Sequence, residues 1–140
     1  MGNTQTMQKI NFEDMQWSCK NPEISLLINT LSTAEQNCLI LNTILAQEEE
    51  TLINKFMNLN KSIRIIIYGR NCNDETIYKK HSQLLSLGFS NVYIYLGGMF
   101  EWLLLQDIYG TEEFPTTAKQ LDILKYKASQ KLNIRLISNH

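Results

Sequence analysis

The stretch IIIYGRNCNDETIYKK, residues 65–80, decides how the rest of the chain is read. Ile65, Ile66, Ile67 and Tyr68 form a short β-prone apolar run that reads as a buried strand. Gly69 breaks it, and Asn73 or Asp74 is placed to cap a helix whose first turn carries Glu75. In a parallel α/β sheet such a strand-to-helix loop opens at the carboxyl edge, where backbone N–H groups at a helix start hold anions. Cys72 lies near the middle of this loop, so the chemistry turns on whether its thiol is a nucleophile.

Outward from the loop, strand and helix patterns alternate. On the N-terminal side, Asn11 is placed to cap a short helix holding Phe12, Met15 and Trp17, and residues 24–28 read as the first core strand. NCLILNTIL, residues 37–45, is a second apolar run of strand length. AQEEETLINKFMNLNK follows as a helix, with Leu52, Ile53, Phe56 and Met57 at helical spacing and three glutamates in its first turn, where the dipole favours negative charge. Residues 63–68 are the loop's strand. The helix beyond the loop has Ile77, His81, Leu84 and Leu85 on its inner stripe, and Gly88 is placed to end it in the left-handed conformation. NVYIYL is the next strand, and GGMFEWLLLQDIYG is a glycine turn followed by a helix. This alternation predicts an α/β domain with a central, mainly parallel sheet flanked by helices. The tail beyond residue 110 carries some helical pattern and a final apolar run, IRLI, that periodicity alone does not place.

At 140 residues the chain reads as one domain, 1–140, with a core over about 10–110 and a C-terminal extension over 111–140. Thirteen basic residues against fourteen acidic ones give no global field for nucleic acid or an anionic membrane surface. No run reaches the roughly 18 apolar residues of a membrane span, and the polar opening lacks the apolar core of a signal peptide. MGNTQT formally matches a myristoylation pattern through Gly2 and Thr6, but no second anchoring signal follows. Cys19, Cys38 and Cys72 are an odd number at wide spacing, fitting neither a disulfide framework nor a zinc site. A cytoplasmic protein with reduced thiols, no metal and no cofactor is the expectation.

Gly97-Gly98 and then Trp102, about thirty residues after a strand–loop–helix unit, resemble the closing signature of the rhodanese (sulfurtransferase) family. The likeness spans LLIN, IIIYGRNCND, a helix ending LGF, and VYIYLGG. YGRN with GGMFEWLLLQDIYG and FPT further resembles a rhodanese-like branch of protists, other eukaryotes and large DNA viruses. The resemblance implies a three-layer rhodanese-like domain with its functional loop at Gly69, Arg70, Asn71, Cys72, Asn73, Asp74 and Glu75. In active members of the family the catalytic cysteine takes the first loop position, directly after the strand. Here that residue is Gly69, which cannot accept a sulfane sulfur. The family also tends to carry an Asp and an Arg near the end of its first strand, where this chain has Asn29, Thr30 and Leu31.

Cys72 is the remaining candidate nucleophile, with Arg70 and the helix N-terminus as the groups that would favour its thiolate. Asp74 and Glu75 oppose it: they satisfy the orphan N–H groups of the helix start and repel anions. Side chains in the middle of a cradle-shaped loop also radiate outward. Other candidates reduce to packing. His81 lies on an inner helical stripe, Cys38 sits in an apolar run, and Cys19 has no partner in sequence. Glu101 and Asp107, six residues apart, fall on different helix faces. Gly97-Gly98 reads as a tight turn rather than a phosphate site, and Trp102 as a packing residue. Cysteine-dependent phosphatase chemistry, which the same fold hosts, needs an arginine where Glu75 stands.

The expectation is thus a non-catalytic binding or regulatory module that takes a protein partner or a small anion at residues 69–75. The alternative is a thiosulfate-type sulfurtransferase or thiol redox enzyme using Cys72. Residues 99–117 are more apolar than one buried helix face requires, which suggests a homo-oligomer tested by Phe114→Ala.

Overall fold

A computed structural model describes residues 7–132. Five parallel strands form one sheet: β1 (Gln8–Ile10), β2 (Ser25–Asn29), β3 (Thr43–Ile44), β4 (Arg64–Tyr68) and β5 (Val92–Tyr95), in the spatial order β1-β5-β4-β2-β3. Four helices cover it: α1 (Phe12–Cys19), α2 (Ala46–Leu59), α3 (Thr76–Ser86) and α4 (Gly98–Tyr109). The expected three-layer α/β architecture is present.

Strand alternation sends side chains to two separate cores. Leu27, Ile66, Tyr68 and Tyr95 point toward α1 and α4, where they meet Met15, Cys19, Met99, Trp102 and Leu103. Leu26, Ile28, Ile65, Ile67, Val92 and Ile94 point the other way, onto Ile53 of α2 and Ile77 and Leu84 of α3. Strand β4 is therefore buried on both faces, which is why its sequence is an unbroken apolar run rather than an alternating one.

Local signals hold at three helix ends. The amide of Asp14 donates to Asn11 Oδ1 at 2.9 Å and the amide of Asn11 to Asp14 Oδ2 at 3.4 Å, so Asn11 closes a capping box on α1. Gly88 has φ +101, the left-handed stop expected after α3. At the start of α3, Asp74 rather than Asn73 caps: its Oδ1 accepts the Thr76 amide at 3.0 Å.

Three expectations change. Residues 37–45 are not one strand. Asn42 at φ 67 interrupts them, and only Thr43–Ile44 joins the sheet. Cys38, Leu39 and Ile40 are buried outside it because the chain after α4 returns to cover them: Ile40 bridges Thr116, and the Leu41 amide donates to the Pro115 carbonyl at 3.1 Å. Strand β1 was not foreseen, being short and mostly exposed, with its pairing to β5 supplied by a partner far along the chain. Beyond residue 110 the described tail holds one short 3-10 turn, Ile123–Tyr126. Its Phe114 and Tyr126, 3% and 0% exposed, lie inside the core with α1 and α4. The IRLI run and the Gly2 motif fall outside the described residues. No described helix is long and apolar enough to cross a membrane.

Candidate functional site

The register Asn29↔Tyr68 places the carboxyl ends of β2 and β4 side by side, and the Thr30 amide extends the ladder to the Tyr68 carbonyl at 3.0 Å. Thr30 thereby stands next to Gly69, at the start of the loop. Helix α4 supports the loop from behind. The Met99 amide donates to the Gly69 carbonyl at 2.9 Å and the Phe100 amide to the Arg70 carbonyl at 2.8 Å. Such close approach requires Gly98, whose φ is +67 and where a β-carbon would lie 2.6 Å from the Gly69 carbonyl oxygen. The Gly97-Gly98 turn thus seats the loop, and the first amides of α4 are used by the loop's carbonyls. Trp102, fully buried, stacks edge-on against Tyr95 and Phe114 and donates through Nε1 to the Pro115 carbonyl.

Within the loop, the carboxylate of Asp74 folds back over Gly69. Oδ2 accepts the Arg70 amide at 2.9 Å, and Oδ1 accepts the Thr76 amide and, at 2.6 Å, the Thr76 hydroxyl. The Thr76 and Thr30 hydroxyls lie 2.8 Å apart. A β-carbon at position 69 would meet the Asp74 carboxylate, with Cγ at 2.9 Å, and Thr30 Oγ1 also at 2.9 Å. Two further loop amides are used internally: Asn73 N–H donates to Asn71 Oδ1 and Asp74 N–H to the Asn71 carbonyl. The chain therefore supplies its own anion to the N–H groups of the loop.

Cys72 is exposed, and its Sγ lies 3.9 Å from Asn73 Oδ1, its one hydrogen-bond contact among the described residues. Arg70 does not turn toward it. Its guanidinium bonds the Glu35 carboxylate and the Lys125 carbonyl and lies 5.2 Å from the centroid of the Tyr126 ring. Burial works to raise the Glu35 carboxyl, but the Arg70 hydrogen bond, the Ser32 amide and hydroxyl, and the Arg70 charge outweigh it and hold the pKa below its ordinary value. Asn71 is buried and donates through Nδ2 to the Tyr126 carbonyl at 2.8 Å. Glu75 is exposed and makes no side-chain cap on α3.

The other sequence candidates occupy separate places. His81 is buried in α3, where burial lowers its pKa. Cys19 is in the core of α1, its thiol pushed up to about 11 by burial. Cys38 lies under the tail with Sγ 3.3 Å from the Ala118 carbonyl. Glu101 accepts the Tyr95 hydroxyl, whereas Asp107 is exposed farther along α4. Among the described residues no three His, Cys, Asp or Glu side chains gather into a potential metal site. At the end of β2, buried Asn29 forms reciprocal amide bonds with Gln36, whose Oε1 also accepts the Ala46 amide at the start of α2.

Sequence reading missed Glu35, Thr30 and Tyr126 as neighbours of the loop. Glu35 carried a usable signal, since Ser32-x-x-Glu35 is a capping-box pattern, and its Oε1 does accept the Ser32 amide at 3.2 Å and the Ser32 hydroxyl at 3.1 Å. Tyr126 carried none, because nothing local connects it with a loop 55 residues earlier.

Solved structures with the same fold include the rhodanese-like domain of an Anabaena protein, seen in solution, at 20% identity and TM-score 0.56, covering 96% of this chain and 95% of that one. A Bacillus halodurans protein matches at 20% identity and TM-score 0.56, covering 74% of each chain. A single-domain sulfurtransferase of Saccharomyces cerevisiae matches at 17% identity and TM-score 0.52, covering 77% of this chain and 98% of its own. No curated protein matches the chain. The family model described as "Rhodanese-like domain" matches residues 34–105, which run from the Glu35 turn through the loop to the Gly-Gly turn and α4 and make up just over half of the sequence. The chain belongs to the rhodanese-like domain family.

Proposed function

We propose that this rhodanese-like domain is non-catalytic and works as a cytoplasmic binding module whose 69–75 loop is a recognition surface. The observation that carries the reading is the Asp74 carboxylate, which fills the space beside Gly69 into which the family's first-position cysteine would project. A sulfur carrier needs a side chain there and free N–H groups around it to stabilise the anion it carries. Here position 69 has no side chain, and the Arg70 and Thr76 amides already serve a carboxylate. That internal charge also disfavours a free small anion as ligand and leaves a protein partner as the favoured occupant. The exposed position of Cys72, together with the engagement of Arg70 by Glu35 and Lys125, weighs against the alternative in which Cys72 transfers sulfur.

The test is intact-mass spectrometry of the purified chain after thiosulfate treatment, alongside Cys72→Ser. No added sulfur is expected on either protein. A persulfide on the wild type that disappears in Cys72→Ser overturns the reading in favour of the sulfurtransferase alternative.

A further inference from the structure

Arg70 and Asn71 direct their side chains to the chain's own tail. Arg70 Nη2 donates to the carbonyl of Lys125 and Asn71 Nδ2 to that of Tyr126, as a binding groove holds the main chain of a bound peptide. Between these contacts the Tyr126 ring is fully buried, with the Arg70 guanidinium and the Lys125 ammonium each 5.2 Å from its centroid. Asp74 and Glu75 share an open polar pocket of about 360 Å³ with Lys127, Ser129 and Lys131, so acidic loop faces basic tail.

Two features mark this tail as a releasable occupant. Residues 115–117 are stapled to the domain: the Leu41 amide donates to the Pro115 carbonyl, and Leu39 and Thr117 exchange two bonds. From Lys119 to Leu124, by contrast, the hydrogen bonds among the described residues are all local, and Leu121 and Leu124 are exposed. The Tyr126 hydroxyl, moreover, is buried with no hydrogen-bond partner among the described residues. A buried tyrosine ordinarily finds one, and leaving it without costs stability that the ring must offset.

We propose that the 69–75 loop is a peptide-binding surface occupied in cis by residues 122–127, and that its partner in trans is a peptide segment with an aromatic side chain between lysines. This rests on the non-catalytic reading of the loop and names its partner class. The partner gains access when the tail lifts from residue 119 onward. Lifting takes Tyr126 out of the core that it shares with Cys38 and so opens that thiol from the Tyr126 side, while Ala118 stays with the stapled residues.

The three cysteines report on this opening in the intact chain. Cys72 is exposed, Cys38 is under the tail, and Cys19 is in the core of α1. Under native conditions, thiol labelling followed by peptide mass mapping is expected to modify Cys38 about tenfold or more faster than Cys19, as sub-global opening requires. Tyr126→Ala is expected to accelerate Cys38 further with Cys19 unchanged, and Tyr126→Leu, which refills the slot without an aromatic ring, serves where the alanine variant exposes Cys19. A fluorescent peptide of residues 121–131 is then expected to bind the variant that keeps Cys19 protected, and the same peptide with alanine for its tyrosine to bind at least about tenfold more weakly. Coincident labelling of Cys38 and Cys19 in the wild type overturns the proposal, as does equal binding of the two peptides or binding of neither. Such failure leaves the non-catalytic reading standing, whereas a persulfide on Cys72 removes that reading without altering the labelling order.

Discussion

The carboxylate of Asp74 and the missing side chain of Gly69 occupy one space: a β-carbon at 69 would sit 2.9 Å from Asp74 Cγ, while Asp74 Oδ2 accepts the amide of the next residue, Arg70. The two residues are complementary, and the glycine is as much a requirement of the aspartate as the aspartate is a filling for the glycine.

Gly69→Ala is expected to lower stability by about 1–3 kcal/mol, because Asp74 must abandon its bonds to Arg70 and Thr76 to make room. On an Asp74→Gly background the same substitution should cost distinctly less, although that background itself loses a few tenths of a kcal/mol of helix capping, besides the carboxylate's bond to the Arg70 amide. Urea unfolding of the four proteins gives the coupling directly. Strictly additive costs would show that the carboxylate is not the obstacle.

Gly98→Ala should be more damaging than an ordinary glycine replacement at a helix start. Its φ of +67 disfavours any side chain, and the new carbon would press on the Gly69 carbonyl that accepts the Met99 amide. A loss of about 1–3 kcal/mol is expected, together with faster hydrogen exchange at Met99 and Phe100. Wild-type exchange at those two amides would show that α4 does not brace the loop.

Glu35 makes part of the stability pH-dependent. Its folded-state pKa is held below the ordinary value of 4.5, so its contribution is present above that value and is lost as pH falls through the lower folded-state pKa. Glu35→Gln should therefore reduce stability most at neutral pH, and the gap from wild type should close on acidification below about 4.5. Denaturant midpoints across that range test the sign. A gap that widens in acid would contradict the assignment.

Phe114→Ala is a core substitution. The ring is 3% exposed and packs against Trp102 at 5.1 Å and Phe12 at 5.8 Å between centroids, so its loss is expected to cost about 3–5 kcal/mol. It is therefore unsuited to testing self-association. The large apolar groups that this region presents to solvent are Leu104, Ile108 and Tyr109, the last two the most open at 69% and 64% exposed. Ile108→Glu is expected to leave stability within about 0.5 kcal/mol and, if residues 99–117 carry a homo-oligomer contact, to shift the mass measured by light scattering to that of a monomer. An unchanged mass would remove that surface from consideration.

Much of the architecture was legible because its causes are local. Strand β4 is an apolar run, α2 and α3 carry helical stripes, Asn11 and Gly88 mark ends, and each signal lies within a few residues of what it specifies. Elements made by distant partners were not legible. Strand β1 exists through β5, and Ile40 is buried through Thr116, so neither stretch contains its own reason.

The site divides along the same line. Sequence by itself determined that position 69 has no nucleophile, that Asp74 stands at a helix start with amides to satisfy, and that two glycines precede α4, because each is a matter of residue identity and short-range backbone geometry. Only the tertiary structure decided where those groups point: that Asp74 turns back over Gly69, that Arg70 is held by Glu35, and that Tyr126 fills the slot beside the loop. The physical reason is that these contacts depend on the register of β2 against β4 and on the return of the tail across the sheet's carboxyl edge. Both join residues tens of positions apart, where no short-range spacing records the meeting.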